Sequence, residues 1–168
     1  PITEGSFVVP KDANNFEIDD IRSEEENELM GNLITSLVRD KSNDLSSRLH
    51  CSIAGGRKTM SFYLGAALQL FGRPQDKLYH VLVTPEFELN PSFFYKPKKN
   101  RIIQGRGIDG KPKQLNTKNA HIELADLPFI RLSGKISFQG KDFRELVLEG
   151  QRTIDLAMVQ PELVVNLL

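Results

Sequence analysis

The segment that most constrains the fold is Leu49–Thr59, which reads LHCSIAGGRKT. Its apolar first half predicts a β-strand over Leu49–Ala54, and a glycine pair follows it directly. The next residues, KTMSFYLGAALQLFG, predict a helix that begins near Lys58 and ends at Gly72. A strand, a glycine turn and a helix in this order are typical of α/β proteins, in which ligands bind beyond the carboxyl ends of the strands.

The same turn has the chemistry of an anion site. The first backbone N–H groups of a helix lack partners within it and lie at the positive end of its dipole. Arg57 and Lys58 add two charges there, and Thr59 adds a hydroxyl. The spacing is not that of a P-loop, because Arg57 separates Gly56 from Lys58. We predict phosphate binding, with a plain tight turn and solvated cations as the alternative.

The composition predicts a single globular domain over residues 1–168. Twenty-two Lys and Arg balance 22 Asp and Glu, so no overall field favours nucleic acid or an anionic membrane. The one cysteine, Cys51, excludes an internal disulfide. We find no apolar run of membrane-spanning length and no signal peptide, and we expect a cytoplasmic protein.

The charges are nevertheless unevenly distributed. The stretch Glu17–Glu28 is acidic, whereas Lys96–Lys118 carries eight Lys or Arg and one acid, Asp109. We predict that residues 96–119 form an inserted basic loop, or a small hairpin around Asp109-Gly110. This insertion could cover a bound ligand or touch RNA, although a solvated surface loop is the commoner role of such a stretch.

The remaining patterns complete a Rossmann-like α/β domain. Ser23 and the acids after it predict a capped, amphipathic helix, and KLYHVLV (Lys77–Val83) predicts a central parallel strand buried on both faces. Further predicted elements are strands at Phe7–Val9, His121–Ala125 and Leu163–Leu168, and a helix at Asp142–Gln160 that Pro161 ends. Because the chain begins with Pro1 and ends on an apolar run, we expect it to be part of a longer protein.

Several segments together resemble the CRISPR-associated Rossmann-fold (CARF) family, the ligand-sensing domains of type III CRISPR systems. They are SIAGGRKTM, IDDIRSEEENE, FGRPQDKLYHVLV, FE, FFY and ELADLPFIRL, and the resemblance spans Phe7 to Leu132. It implies a three-layer sheet domain that binds cyclic oligoadenylates as a homodimer and regulates an attached effector. Cyclic tetra-adenylate is the expected ring. The family's usual first strand-helix unit, with its Ser/Thr loop, is not found before Phe7.

The resemblance also implies roles for residues at the turn. The family's Gly-Gly-x-Lys motif corresponds to Gly55–Lys58, and in ring nucleases of the family this lysine is implicated in cutting the ring, so Lys58 is the candidate catalytic residue. Such cleavage uses an adenosine 2′-hydroxyl and no metal. The predicted ligand-binding residues are Ser52, Ala54, Gly55, Gly56, Arg57, Lys58, Thr59 and Glu86.

The resemblance implies two alternative functions, a cyclic-oligoadenylate sensor and a metal-independent ring nuclease. The basic loop offers a third, a structural dimerisation or RNA-binding module. No metal site is expected, because the three histidines are scattered without metal-ligand spacing. No cofactor and no stable DNA binding are expected either. Glu86 follows the central strand at its ligand-facing end. It is either a binding or general-base group, or a solvated carboxylate.

Overall fold

A computed structural model describes residues 3, 6–88 and 90–165 of the chain, which have a mixed α/β architecture. The helices and strands of these residues, in chain order, are α1 (Glu24–Ser42), β1 (His50–Ser52), α2 (Lys58–Phe71), β2 (Lys77–Val83), α3 (Pro85–Glu88), β3 (Ile102–Arg106), β4 (Pro112–Asn116), β5 (Ile122–Asp126) and α4 (Phe143–Val165). The predicted α/β class is therefore confirmed.

The strands form two small sheets. One has the order β1-β2-β5, which confirms β2 as the central strand. The prediction that β2 is a parallel strand buried on both faces is wrong in part, because β2 pairs antiparallel with β5, from Tyr79 opposite Asp126 to Val83 opposite Ile122, and its Leu82 side chain is 46% exposed. The other sheet is the antiparallel hairpin β3-β4, and in its turn Gly110 has a φ of 77° beside Asp109.

The chain divides into two compact units. The first consists of Pro1–Leu78 with Pro128–Leu168, and the second of Tyr79–Leu127. In the first unit α1 packs on α2 so closely that a Cβ on Gly31 would lie 2.4 Å from the Tyr63 ring. The core of the second unit is a cluster of buried apolar side chains: Phe87, Phe93, Ile103, Leu115 and Ala120.

The two predicted helices that flank β1 are both present. The Ser23 hydroxyl accepts a hydrogen bond from the Glu26 N–H at 3.1 Å, and the Glu26 carboxylate accepts one from the Ser23 N–H at 2.8 Å, which completes a capping box. Helix α2 buries Leu68 completely but leaves Phe62 64% exposed. The Phe62 face of α2 is thus exposed within the chain.

Two predicted strands are wrong. Phe7–Val9 forms no strand, and its three side chains are exposed. At the other end of the chain α4 continues through Pro161 as far as Val165, so residues 163–165 are helical and 166–168 lie outside the described residues. Proline removes one N–H donor from a helix but does not oblige the chain to leave it, and here the helix continues beyond it.

Candidate functional site

The predicted turn joins β1 to α2 through a left-handed glycine pair. Gly55 has a φ of 93° and Gly56 a φ of 71°, a conformation that costs other L-residues free energy. A Cβ on Gly55 would meet nothing within 4 Å, whereas one on Gly56 would lie 3.2 Å from the Met60 sulfur. The backbone at Gly55 is therefore open to an approaching group.

Helix α2 begins without a side-chain cap. Arg57 occupies the N-cap position in an extended conformation, and its side chain makes no capping hydrogen bond. No acid lies in the first turn of the helix. The backbone amides of Lys58 and Thr59 consequently find no acceptor among the described residues. Uncapped amides at the positive end of a helix dipole suit an anion.

The two cations of the turn differ in their partners. The Arg57 guanidinium donates two hydrogen bonds to the Asp20 carboxylate, from Nε at 2.9 Å and from a terminal nitrogen at 2.5 Å. These hydrogen bonds, with one from the Ile21 N–H, lower the pKa of Asp20 to about 2. The exposed Lys58 ammonium makes no hydrogen bond or ion pair with the described residues. Lys58 is thus the cation available to a ligand.

A small cavity lies beside the Arg57–Asp20 pair. Its volume is about 290 Å³, and it is lined by both of these residues and by Gly56, Met60 and Val9 among others. This volume is near the lower limit of ordinary small-molecule pockets. One nucleotide-sized group is the largest ligand that such a space encloses.

The other predicted residues of the turn have mainly local roles. The Ser52 hydroxyl accepts a hydrogen bond from the Ala54 N–H at 3.2 Å, which shapes the entry to the glycine pair. Thr59 is exposed and its hydroxyl has no described partner. The Ser61 hydroxyl donates to the Ile53 carbonyl at 3.2 Å and ties the first turn of α2 to the end of the strand.

A family comparison identifies what kind of protein carries this turn. The family model described as CRISPR-associated protein NE0113 matches residues 3–155, which is most of the chain and includes both units. The chain belongs to this CRISPR-associated family. Comparisons with curated proteins and with solved structures gave no match.

Glu86, the predicted site residue outside the turn, belongs to the second unit of this CRISPR-associated protein. It lies in the short helix α3, and its carboxylate accepts a hydrogen bond from the Lys113 ammonium at 2.7 Å. The Glu86 side chain is 19% exposed, and the ion pair raises the pKa of Lys113. The Glu86 carboxylate is thus already paired with a lysine of its own unit, which favours a structural role for it.

Asp20 is the residue of the site that sequence reasoning did not single out. The acidic stretch was recognised, but its partner Arg57 lies 37 residues further along the chain. The available signal was charge complementarity between this stretch and the turn.

No group of three or more His, Cys, Asp and Glu within the described ranges is placed to hold a metal ion, and no helix there is long and apolar enough to cross a membrane.

Proposed function

We propose that this CRISPR-associated protein is a CARF-type sensor that binds a cyclic oligoadenylate of a type III system at the glycine turn. The observation that carries the proposal is the uncapped start of α2, where the amides of Lys58 and Thr59 and the free Lys58 ammonium adjoin an open, left-handed backbone. A phosphate accepts hydrogen bonds from amides and pairs with an ammonium. The family membership supplies the biological setting.

We propose further that two chains bind one ring. A cyclic oligoadenylate carries several nucleotides, and the cavity of about 290 Å³ beside the turn encloses only one such group. A two-fold homodimer presents each turn twice, so it matches the repeated phosphates of a ring. In this account the dimer is cytoplasmic and passes its ligand state to an attached effector.

Calorimetric titration with cyclic tetra-adenylate tests the proposal. Wild-type protein is expected to release heat on binding. Lys58→Ala is expected to weaken binding by about tenfold or more, because a charge-assisted contact to phosphate contributes about 1.5–3 kcal/mol. Lys41→Ala is the matched control, since it removes an exposed lysine from α1 of the same unit.

The titration distinguishes binding at the turn from its absence. The absence of heat with wild-type protein, or equal affinities of the Lys58→Ala variant and wild type, would refute binding at this turn. Chromatography of the same mixtures distinguishes a sensor, which leaves the ring intact, from a ring nuclease, which yields linear products ending in a 2′,3′-cyclic phosphate.

A further inference from the structure

The second unit carries an exposed surface that the proposed sensor site does not use. The segment Phe94–Arg101, with the sequence FYKPKKNR, is termed here the cationic-aromatic segment. Phe94 is 87% exposed and Tyr95 is 74% exposed. Lys98 and Lys99, a few residues further on, are also exposed.

Both ends of the cationic-aromatic segment are anchored to the unit. Phe93, the residue before it, is buried in the core of the second unit. The Lys96 ammonium donates to the Ala120 carbonyl at 2.8 Å, and the Arg101 N–H donates to the Thr117 hydroxyl at 2.9 Å. These anchors hold the segment in place while Phe94, Tyr95, Lys98 and Lys99 are exposed to solvent.

The exposed aromatic and lysine side chains of the segment do not contribute to the core of the second unit. Two neighbouring aromatic rings face water although Phe93, beside them, is buried. Lys98 and Lys99 make no hydrogen bond or ion pair with any described residue. The unit as a whole is basic, with eight Lys or Arg against five Asp or Glu in Tyr79–Leu127. The segment therefore offers ring faces and uncompensated positive charge together.

We propose that the cationic-aromatic segment binds single-stranded nucleic acid. Unpaired bases stack on Phe94 and Tyr95, and the phosphates that link them lie against Lys98 and Lys99. Aromatic platforms combined with a cationic track are the means by which proteins hold single strands without reading sequence. An acidic peptide would engage the lysines and leave the rings unused. An anionic membrane is usually bound through a long amphipathic helix, which this segment is not.

The proposal is tested by fluorescence anisotropy with labelled oligouridylate and oligothymidylate of about 12 nucleotides, a length within the site sizes of such proteins. The wild-type chain of residues 1–168 is expected to bind at about 50 mM salt and to bind more weakly at about 200 mM, because phosphate contacts release counterions. Equal affinities for the two oligomers would mean that the segment contacts bases and phosphates alone. Tighter binding of oligouridylate, the RNA oligomer, would mean that the segment also contacts the ribose 2′-hydroxyl. Either result supports the segment as a single-strand site.

Two double variants report on the two kinds of contact. Phe94→Ala/Tyr95→Ala is expected to weaken binding by about tenfold or more through lost stacking. Lys98→Ala/Lys99→Ala is expected to weaken binding and to flatten its dependence on salt. All four side chains are exposed, so the variants are expected to keep the wild-type circular dichroism spectrum.

The controls keep this proposal independent of the sensor site. Lys41→Ala/Lys141→Ala removes the same charge from exposed positions of the first unit and is expected to change affinity by less than about twofold. The proposal stands or falls without cyclic tetra-adenylate binding, because the cationic-aromatic segment shares no residue with the glycine turn. The proposal is overturned if the wild-type chain does not bind the oligomers at low salt, or if the Phe94→Ala/Tyr95→Ala variant binds them as tightly as wild type. It is also overturned if the wild-type chain binds anionic vesicles but not the oligomers.

Discussion

Arg57 meets Asp20 through two hydrogen bonds, so the cation nearest the glycine pair already holds a carboxylate. A carboxylate and a phosphate compete for the same face of a guanidinium. Replacement of Asp20 by Asn is therefore expected to strengthen the binding of cyclic tetra-adenylate several-fold in calorimetry. Asp40→Asn, at an exposed position of α1 that makes no described ion pair, is the control. Weaker binding by the Asp20→Asn variant would show that the pair orients Arg57 rather than restrains it.

The same ion pair predicts a pH dependence of stability. The pKa of Asp20 is about 2 in the folded chain and 3.8 in the absence of its partners. A lowered folded-state pKa means that the ionised carboxylate stabilises the fold above about pH 3.8, and that this stabilisation is lost as the pH falls through about 2. The difference in urea midpoint between wild type and Asp20→Asn is expected to shrink between pH 7 and pH 2. An equal difference at the two pH values would contradict the ion pair.

Gly55 supplies a third prediction for single residues. Its φ of 93° is strained for any residue with a Cβ, even though the space around it is open. Gly55→Ala is expected to lower the free energy of unfolding by about 1–2 kcal/mol, which denaturant unfolding measures. Gly134→Ala, at a φ of 75° in equally open space, is the matched control for stability. Of these two variants, only Gly55→Ala is expected to reduce ligand affinity as well.

At the scale of the elements, Arg73 and Asp76 lie in the loop between α2 and β2, and Asp76 bonds to the residue that precedes β1. The buried Asp76 carboxylate accepts hydrogen bonds from the Arg73 guanidinium at 2.9 Å and from the Leu49 N–H at 2.9 Å. Burial opposes ionisation of Asp76, but these hydrogen bonds outweigh it and the pKa is lowered. Because Leu49 directly precedes β1, the pair sets where the strand that leads to the glycine turn begins.

Asp76→Ala is expected to destabilise the protein by about 3–5 kcal/mol, because it leaves Arg73 buried without its partner. Glu28→Ala provides the comparison, since it removes an exposed ion pair with Arg144 and should cost less than about 1 kcal/mol. Denaturant unfolding measures both. Equal losses of stability from the two variants would contradict the structural importance of the buried pair.

The sequence predicts elements whose signals are local. The capping box at Ser23, the limits of β2 and the helix after the glycine pair all depend on neighbouring residues. The antiparallel pairing of β2 with β5 was missed, because strand direction depends on partners about 40 residues apart. The strand predicted at Phe7–Val9 depends on apolar composition alone, and no neighbouring strand pairs with this segment in the described residues.

The same division applies to the candidate site. Local sequence placed Gly55, Gly56 and Lys58 at the junction of a strand and a helix, as the structure has them. Charge complementarity indicates the acidic stretch but does not single out Asp20 as the partner of Arg57, because that contact forms only in the folded chain. Periodicity likewise does not reveal that Phe62 lies on an exposed face of α2, because the helix is apolar throughout.

At the scale of the whole molecule, a chain of a CRISPR-associated family carries a glycine turn with the chemistry of an anion site. Each chain offers one glycine turn, one free Lys58 ammonium and a cavity of about 290 Å³. A ring of several nucleotides needs more phosphate donors than one such turn supplies, so the functional species is expected to be a two-fold dimer. Membership of the family covers residues 3–155, and it therefore applies to both units rather than to the turn alone.

The most direct test is the stoichiometry of cyclic tetra-adenylate binding, measured by calorimetry together with native mass spectrometry. The account predicts one ring bound per two chains, with affinity greatly reduced by Lys58→Ala. One ring on each single chain, or full affinity in the Lys58→Ala variant, would contradict a site shared by two glycine turns.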